Sequence, residues 1–442
     1  MFASERDTIF ALASGVGRAA IAVLRLSGPD CLDVLQAIAP GVEFPDRRAV
    51  LRTLRHPGSQ EPIDRALITR FEGPRSFTGE DMAEISVTGG RAVIAALIRT
   101  LAIIPGLRPA EAGEFAWRAF ANGKVDLSEV EGLGDLVDAE TEAQRRQAQR
   151  IAGGALGREC EAIRAGLLDA MATIEAQIDF SDVEGAGDMT LDSVRRAGRA
   201  ATVRIDRALA TADAAERLRE GFVVVIAGPP NVGKSTLMNA LAGRDVAITS
   251  PNAGTTRDLI EVFLDLRGYP VTLVDTAGIR DSADPIEQEG VARARRRAEG
   301  ADLTLWLDDG AVGGPPRLPS STFVVRTKID LVEANSSLGD TSQFAISAKT
   351  GAGVEGLLDA LGDLAQERMS AREPVLLTLE RHRRAFQQAR DALSSALAPE
   401  ATEPELIAED LRRAVAAMDR VVGRIGVEDV LGEIFSRLCV GK

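Results

Sequence analysis

Nine consecutive residues constrain this chain more than any others: Gly228-Pro-Pro-Asn-Val-Gly-Lys-Ser-Thr236, a complete G-x-x-x-x-G-K-[ST] loop. The apolar run Phe222 to Ala227 precedes it and Leu237 to Leu241 follows, which is the strand–loop–helix context such a loop needs. Its glycines let backbone N–H groups close around phosphate oxygens at a helix N-terminus, where the dipole favours negative charge. Lys234 then reaches the β- and γ-phosphates and assists catalysis, while Ser235 offers an oxygen to Mg²⁺. A nucleoside triphosphate is the expected ligand.

Four further motifs, in order along the chain, say which triphosphate. Gly254-Thr255-Thr256-Arg257-Asp258 is a segment whose Thr256 can complete the Mg²⁺ shell. After Val271 to Val274 comes Asp275-Thr276-Ala277-Gly278, an Asp at a strand end followed by a Gly that can meet a γ-phosphate. After Thr322 to Val325 comes Thr327-Lys328-Ile329-Asp330, whose carboxylate can accept both N–H groups of the guanine edge. Adenine offers no matching pair. Ser347-Ala348-Lys349 then supplies the backbone contact to the guanine carbonyl. The nucleotide read from these motifs is GTP, contacted by Asn231, Val232, Gly233, Lys234, Ser235 and Thr236 together with the residues of the four later motifs.

Two departures stand out. Thr327 occupies the place of the Asn usual in this guanine motif, and losing one or two hydrogen bonds there would cost about 1–3 kcal/mol, which predicts micromolar affinity. Ile279 stands where Ras-like proteins carry a water-orienting Gln, and an aliphatic side chain cannot position water. The downstream carboxylates Asp281, Asp284, Glu287 and Glu289 are the candidates to replace it, or else solvated acids at a helix start.

The 442 residues suggest about two to four domains, and 45% hydrophobic content is ample for several cores. No run approaches the length of a membrane span, and the N-terminus, with Glu5, Arg6 and Asp7, resembles neither a secretory nor a transit signal. The three widely separated cysteines, Cys31, Cys160 and Cys439, point to a reducing cytoplasm without a disulfide framework or zinc site. A net charge of −14 counts against non-specific nucleic-acid binding, yet it is unevenly spread. Residues 1–120 hold 14 Lys/Arg against 14 Asp/Glu. The basic clusters Arg145-Arg146, Arg293 to Arg297 and Arg381 to Arg384 read as solvated helix faces, and one Tyr with two Trp make no stacking platform for single strands.

Residues 1–120 mix strand-like runs (Ala20 to Leu26, Ala66 to Phe71, Ala83 to Val87) with a helix at Arg91 to Leu101, an α/β or α+β pattern. Leu127 to Phe180 reads as long helices broken at Gly153-Gly154, and 190–219 continues them. A G domain occupies 217–368, with a surface loop at Gly310 to Ser321. Helices return at Glu380 to Leu397, Glu405 to Val422 and Val427 to Leu438. The expected organisation is therefore an N-terminal domain (1–120), a helical domain in two parts (121–216 and 369–442), and the G domain inserted between them.

Several stretches outside the G motifs resemble the MnmE (TrmE) family of tRNA-modification GTPases. They are Val23-Leu-Arg-Leu-Ser-Gly28, Ser76-Phe-Thr-Gly-Glu-Asp81, Pro109-Ala-Glu-Ala-Gly-Glu-Phe115, Arg118 to Leu127 (Arg-Ala-Phe-Ala-Asn-Gly-Lys-Val-Asp-Leu) and the terminal Cys439-Val-Gly-Lys442. Thr88 stands before Gly89-Gly90 where the family pattern has a His. The resemblance implies a multidomain α/β and all-α protein. Its N-terminal α+β domain would be tetrahydrofolate-binding and aminomethyltransferase-like and would mediate homodimerisation; a Ras-like P-loop G domain would interrupt the helical domain. Arg25, Glu84, Lys124 and Lys442 match positions that contact the folate, a 5-formyl or 5,10-methylene form. Asn231 matches a potassium ligand, with Ser250, Asn252 and Thr255 completing the shell in a loop that includes Pro251 and Ala253 and borders GTP. Glu287 matches the acid that orients the attacking water. Cys439 either takes part in the uridine chemistry or packs as a small apolar residue.

The implied activity is a potassium-dependent GTPase that modifies C5 of the wobble uridine of certain tRNAs. Its partner would be a flavoprotein of the MnmG (GidA) type carrying the FAD, since no G-x-G-x-x-G follows a strand in this chain. A GTP-switched ribosome or RNA assembly factor is the alternative. It explains 217–368 equally well, but not Arg25, Lys124 and the Cys-x-Gly-Lys terminus together.

Overall fold

Two six-stranded sheets organise the described residues of this computed structural model, one in each of two units. Described are residues 7–15, 17–41, 43–179, 187–244, 246–248, 261–275, 300–310, 321–331, 343–370, 375–426, 428–436, 438 and 441. The first unit comprises Met1–Gly134, Ile151–Arg164 and Val415–Lys442; the second comprises Asp135–Arg150 and Ala165–Ala414.

The first unit's sheet is built from β1 (Thr8–Leu12), β2 (Ile21–Ser27), β3 (Ala49–Arg55), β4 (Pro62–Phe71), β5 (Met82–Thr88) and β6 (Leu107–Pro109), in the order β3-β4-β5-β2-β1-β6. Neighbours are antiparallel except β1 with β6. Alternation along the strands sends Leu24, Leu26, Ala83 and Ile85 to one face, against Val34, Leu35, Leu97 and Leu101 of α1 (Cys31–Ile38) and α2 (Arg91–Ala102). The same alternation sends Arg25 and its cross-strand partner Glu84 to the other face. Further along, α3 (Glu114–Ala121) and α4 (Leu127–Asp138) share a small core with the C-terminal segment through Ala116, Leu127, Val130, Phe435 and Leu438. Gly113 makes the approach possible: its φ is +69°, and a Cβ there would lie 2.2 Å from the Phe435 carbonyl oxygen.

Helices α5 (Glu142–Ala152), α6 (Ala155–Asp179), α7 (Gly187–Leu209) and α8 (Ala212–Glu220) lead to the second sheet. That sheet contains β7 (Phe222–Ala227), β8 (Glu261–Leu266), β9 (Tyr269–Asp275), β10 (Leu303–Asp308), β11 (Thr322–Arg326) and β12 (Phe344–Ala345) in the order β12-β11-β10-β7-β9-β8. Only β8 is antiparallel to its neighbour. A central parallel strand is covered on both faces, which is why β7 is an unbroken apolar run. Helices α9 (Lys234–Ala242) and α10 (Val354–Met369) contribute Leu237, Leu241, Leu357 and Leu361 to the core around Val224, Ile226, Leu273 and Leu305. The chain continues through α11 (Glu380–Ala396), α12 (Pro404–Val422) and α13 (Glu428–Ser436).

The expected elements are present with shifted ends. β4 begins at Pro62, four residues earlier than its apolar run suggests, because a proline is tolerated at the first position of a strand. The helical run from Leu127 breaks at Gly153-Gly154 as expected, but also before α5, where Thr141 and Gln144 form a reciprocal cap. The Gln144 side-chain oxygen accepts the Thr141 amide at 3.1 Å, and the Thr141 hydroxyl accepts the Gln144 amide at 3.4 Å. A similar break separates α7 from α8, where the buried Thr211 hydroxyl donates to the Ala208 carbonyl at 3.1 Å. The short elements β1, β3, β6, α1 and α3 carry too little periodicity to be read from the sequence. Of the loop expected at Gly310 to Ser321, residues 311–320 lie outside the described residues.

Candidate functional site

The phosphate loop leaves the end of central strand β7 and enters α9 at Gly233, a left-handed residue with φ +108°. Gly228 sits at φ +150°, and a Cβ there would lie 2.5 Å from the Leu307 carbonyl oxygen, so the loop start fits against β10 only as glycine. Asn231 also adopts a positive φ, +61°. Val232 is fully buried and anchors the loop in the core, which leaves Asn231, Ser235 and Thr236 exposed. Lys234 Nζ donates to the carbonyls of Gly228 and Pro229, each at 2.9 Å, so its ammonium lies inside the loop. The Ser235 hydroxyl donates to Asp275 Oδ2 at 3.3 Å, joining the loop to the end of β9. Two hard oxygen donors side by side fit a divalent cation of the Mg²⁺ type.

The guanine motif is tied to the same loop. Thr327 is 5% exposed; its amide donates to the Asp308 carbonyl at 2.8 Å, and its hydroxyl donates to the Val232 carbonyl at 2.8 Å. The residue read from sequence as a weak guanine contact also braces the phosphate loop. Lys328, at φ +58°, pairs with Asp309 at 2.8 Å. Asp330 is exposed in a short 3-10 turn, and the buried Ser347 hydroxyl donates to its Oδ1 at 2.7 Å. That bond, reinforced by the charge of Lys349, holds the Asp330 carboxyl below its ordinary value, so it stays an acceptor at neutral pH. Ser347 is fixed in turn by its own amide on the Ala352 carbonyl, 2.9 Å, which leaves Ala348 and Lys349 at the tip of the turn.

In the first unit, Arg25 Nε and Nη2 donate to Glu84 Oε1 at 3.2 and 2.8 Å across the β2–β5 register. Arg25 Nη1 donates to the Gly441 carbonyl at 3.0 Å, which brings the C-terminus to this strand pair. The guanidinium carbon lies 6.0 and 5.9 Å from the ring centres of Phe77 and Phe115, at the outer limit of a cation–π contact. With side chains 22% and 34% exposed, Arg25 and Glu84 remain open to a ligand. Lys124 Nζ donates to the Pro74 carbonyl at 2.8 Å and its stem packs over Gly79, on the loop that carries Phe77. A carboxylate and a guanidinium flanked by aromatic rings fit a flat heteroaromatic ligand with an amide edge and an anionic tail.

The family models and the curated relatives point to the same family. The family model described as GTP-binding protein TrmE N-terminus matches residues 8–124, and that described as MnmE helical domain matches residues 127–439. The tRNA modification GTPase MnmE of Methylobacterium sp. (strain 4-46) is 52% identical over 99% of this chain and 100% of its own length. The chain belongs to the MnmE family. A relative of the same name from Azorhizobium caulinodans is 50% identical over 99% of both chains. Among solved structures, the G domain of the T. maritima FeoB iron transporter aligns with 32% of this chain and 98% of its own at 25% identity, TM-score 0.22.

In this MnmE-family chain, Ser250, Pro251, Asn252, Ala253, Gly254, Thr255, Thr256, Thr276, Ala277, Gly278, Glu287, Cys439 and Lys442 lie outside the described residues. So do Ile279 with the other acids near it and the Arg293 to Arg297 cluster. Cys31 is fully buried, and burial, with the charge of Asp81 adding to it, pushes its thiol up to about 12, which leaves it inert.

Missed by sequence reasoning is a buried charge network around Glu114 and Arg118. Glu114, 1% exposed, accepts Arg108 through both oxygens at 2.6 and 2.8 Å and Arg118 at 3.1 Å. Arg118, 3% exposed, also donates to Glu80 at 2.9 Å, and Glu80 accepts Ser27 at 2.7 Å. Burial pushes the Glu114 carboxyl up, but the Arg108 hydrogen bond, the Glu111 amide and the two guanidinium charges outweigh it and hold the group below its ordinary value. The signal was present as Glu80, Glu114 and Arg118 inside the conspicuous motifs; Glu114 and Arg118 stand four apart on one helix, but the Glu80–Arg118 pairing spans 38 residues.

A cavity of about 540 Å³ in the second unit, lined by Asp135, Asp138, Gln144, Arg219 and Gly300 among others, contains none of the predicted site residues.

Proposed function

We propose that this chain hydrolyses GTP in the service of tRNA modification. With a flavin-dependent partner of the MnmG (GidA) type, it would alter C5 of the wobble uridine of certain tRNAs, using a one-carbon unit from a tetrahydrofolate. One observation carries the nucleotide reading: the Thr327 hydroxyl on the Val232 carbonyl, 95 residues away, makes the phosphate loop and the guanine motif one site. The names of relatives about 50% identical over nearly their whole length support the tRNA part.

Ser235 and Thr256 would hold Mg²⁺, with Asp275 orienting Ser235. Asn231, Ser250, Asn252 and Thr255 would hold K⁺. Bound beside the phosphates, the two cations supply positive charge to offset what develops in phosphoryl transfer. Lys234 adds its ammonium from inside the loop, Glu287 would orient the attacking water, which Ile279 cannot do, and Asp330 would select guanine. Arg25, Glu84, Lys124 and Lys442 would bind the folate in an N-terminal domain (1–120) that also forms the homodimer, and Cys439 stands close in sequence to Lys442. A cytoplasmic location suits these substrates. Among the described residues no helix is long and apolar enough to cross a membrane.

The reading is tested by hydrolysis rates with GTP and ATP in potassium and in sodium. Turnover should require GTP and potassium, and Glu287→Ala should abolish most of it while sparing nucleotide binding. Equal rates in the two salts would remove the potassium mechanism. Lys442→Ala should weaken folate binding and leave GTP hydrolysis intact. Mass spectrometry of wobble nucleosides from cells lacking the protein tests the modification itself, and an unchanged profile would refute it.

A further inference from the structure

By count the N-terminal residues are neutral, but by position they are not. Among the described residues, Glu84 pairs with Arg25, Glu80 and Glu114 with Arg118, Asp81 with Arg70, and Asp46 with Arg75. Those acids are held in ion pairs. Five arginines between positions 47 and 65 (47, 48, 52, 55 and 65) face two acids of that stretch, Glu61 and Asp64. Asp64 is itself engaged by the Thr88 amide and hydroxyl at 2.7 and 3.3 Å.

The sheet gathers two of these cations, Arg55 and Arg65, at one end with two others. Arg55 ends edge strand β3 beside Pro62, and Arg65 lies opposite Thr53 on β4. The Thr88–Asp64 bond sets the end of β5 against the start of β4, and Thr88 pairs with Ile21 at the start of β2. Three residues before Ile21 is Arg18, and three after Thr88 is Arg91; backbone bonds between Ala19 and Gly89 and between Gly89 and Ala20 hold these two approaches together. Arg18, Arg65 and Arg91 are exposed, and Arg55 is half-buried with one donor on the Gln60 carbonyl at 2.9 Å. The two basic clusters that fall within the described residues are compensated instead. Arg145 and Arg146 both bond Glu142, Arg383 pairs with Asp213 and Glu216, and Arg384 pairs with Glu380.

We propose that this end of the N-terminal sheet, presenting Arg18, Arg55, Arg65 and Arg91, is the surface that holds the phosphate backbone of tRNA. The inference rests on the tRNA reading above and names its surface. In a chain of net charge −14, attraction to RNA has to come from a local patch, because the overall field repels it. Guanidinium forks match phosphate oxygens in geometry, and arginine keeps its charge at every relevant pH. Exposed Leu51 and Leu67 face each other further along the same strand pair, so a protein neighbour is the competing occupant and the oligomeric state is a required second readout.

The test uses the full-length protein and an unmodified transcript of a tRNA whose anticodon begins with uridine, titrated from 50 to 300 mM potassium chloride. Each phosphate left without its cation lowers the slope of log K against log salt by about 0.7–0.9. The triple variant Arg55→Ala, Arg65→Ala, Arg91→Ala should therefore lose about 2–3 from the slope and more than tenfold in affinity at the upper salt concentrations. GTP hydrolysis and the mass by light scattering should stay unchanged, and the corresponding lysine variant should restore most of the slope. Wild-type binding with an unchanged slope in the alanine variant overturns the surface and leaves the tRNA reading intact. A change of oligomeric state in the variant assigns the patch to a protein neighbour and overturns it as well. Failure of the wild type to bind at 50 mM salt refutes the tRNA reading and the surface together.

Discussion

Replacing Thr327 with valine removes one hydroxyl at nearly constant shape and isolates the brace between the guanine motif and the phosphate loop. The bond is 2.8 Å long, and Thr327 is 5% exposed, so water cannot readily take its place. Losing a buried hydrogen bond and stranding the Val232 carbonyl costs about 1–3 kcal/mol. Where that cost falls on the loop conformation that receives phosphate, guanine-nucleotide affinity drops about 5- to 150-fold, at roughly 1.4 kcal/mol per tenfold. Titration with a fluorescent guanine nucleotide measures the loss, and urea unfolding of the apo protein measures how much of it is general destabilisation. Thr327→Ser keeps the hydroxyl and should retain most of the affinity. Wild-type affinity in the valine variant, or a serine variant as impaired as the valine one, would refute the brace. Thr327→Asn separates the two readings further. If the missing Asn were the weak point, affinity would rise; a longer side chain crowding this buried site should give no gain.

Gly228→Ala should destabilise the G domain by about 1–3 kcal/mol, because a Cβ would sit 2.5 Å from the Leu307 carbonyl at a φ that L-residues avoid; an unchanged melting temperature counts against this. Asp330→Asn should lower GTP affinity at least about tenfold, since an amide cannot accept both guanine N–H groups, and competition binding against ATP checks it. Glu114→Gln should cost about 1–3 kcal/mol by removing the charge that Arg108 and Arg118 share, with Glu80 still paired to Arg118, read from the urea midpoint at pH 7. Because the folded Glu114 carboxyl lies below its unfolded value, its contribution is complete above about pH 4.3 and is lost as pH falls through the folded value. The gap between wild type and variant should accordingly shrink on acidification below pH 4, and a constant gap would place the effect elsewhere.

The phosphate loop was legible because its chemistry is local. A strand, a Gly-rich turn and a helix start within a few residues of one another determine the backbone donors whatever surrounds them. The long helices were legible for the same reason, since their period is written in consecutive residues, and the break before Thr141 could have been read from Thr-x-x-Gln. The order of the guanine motifs also survives translation into one dimension, as each follows a parallel strand of the same sheet. Partner choice between distant residues does not. Thr327 reads in the sequence as a substituted guanine contact, and only the fold sets its hydroxyl on the Val232 carbonyl as well. Arg25 meets a carbonyl 416 residues away, and no spacing rule reaches that far. Charge behaves in the same way: the sequence counts 14 cations against 14 anions in residues 1–120, but only the register of the sheet decides which neutralise each other inside and which stay bare at its end. A count is additive along the chain, whereas a field depends on distance, and distance between remote residues belongs to the tertiary structure.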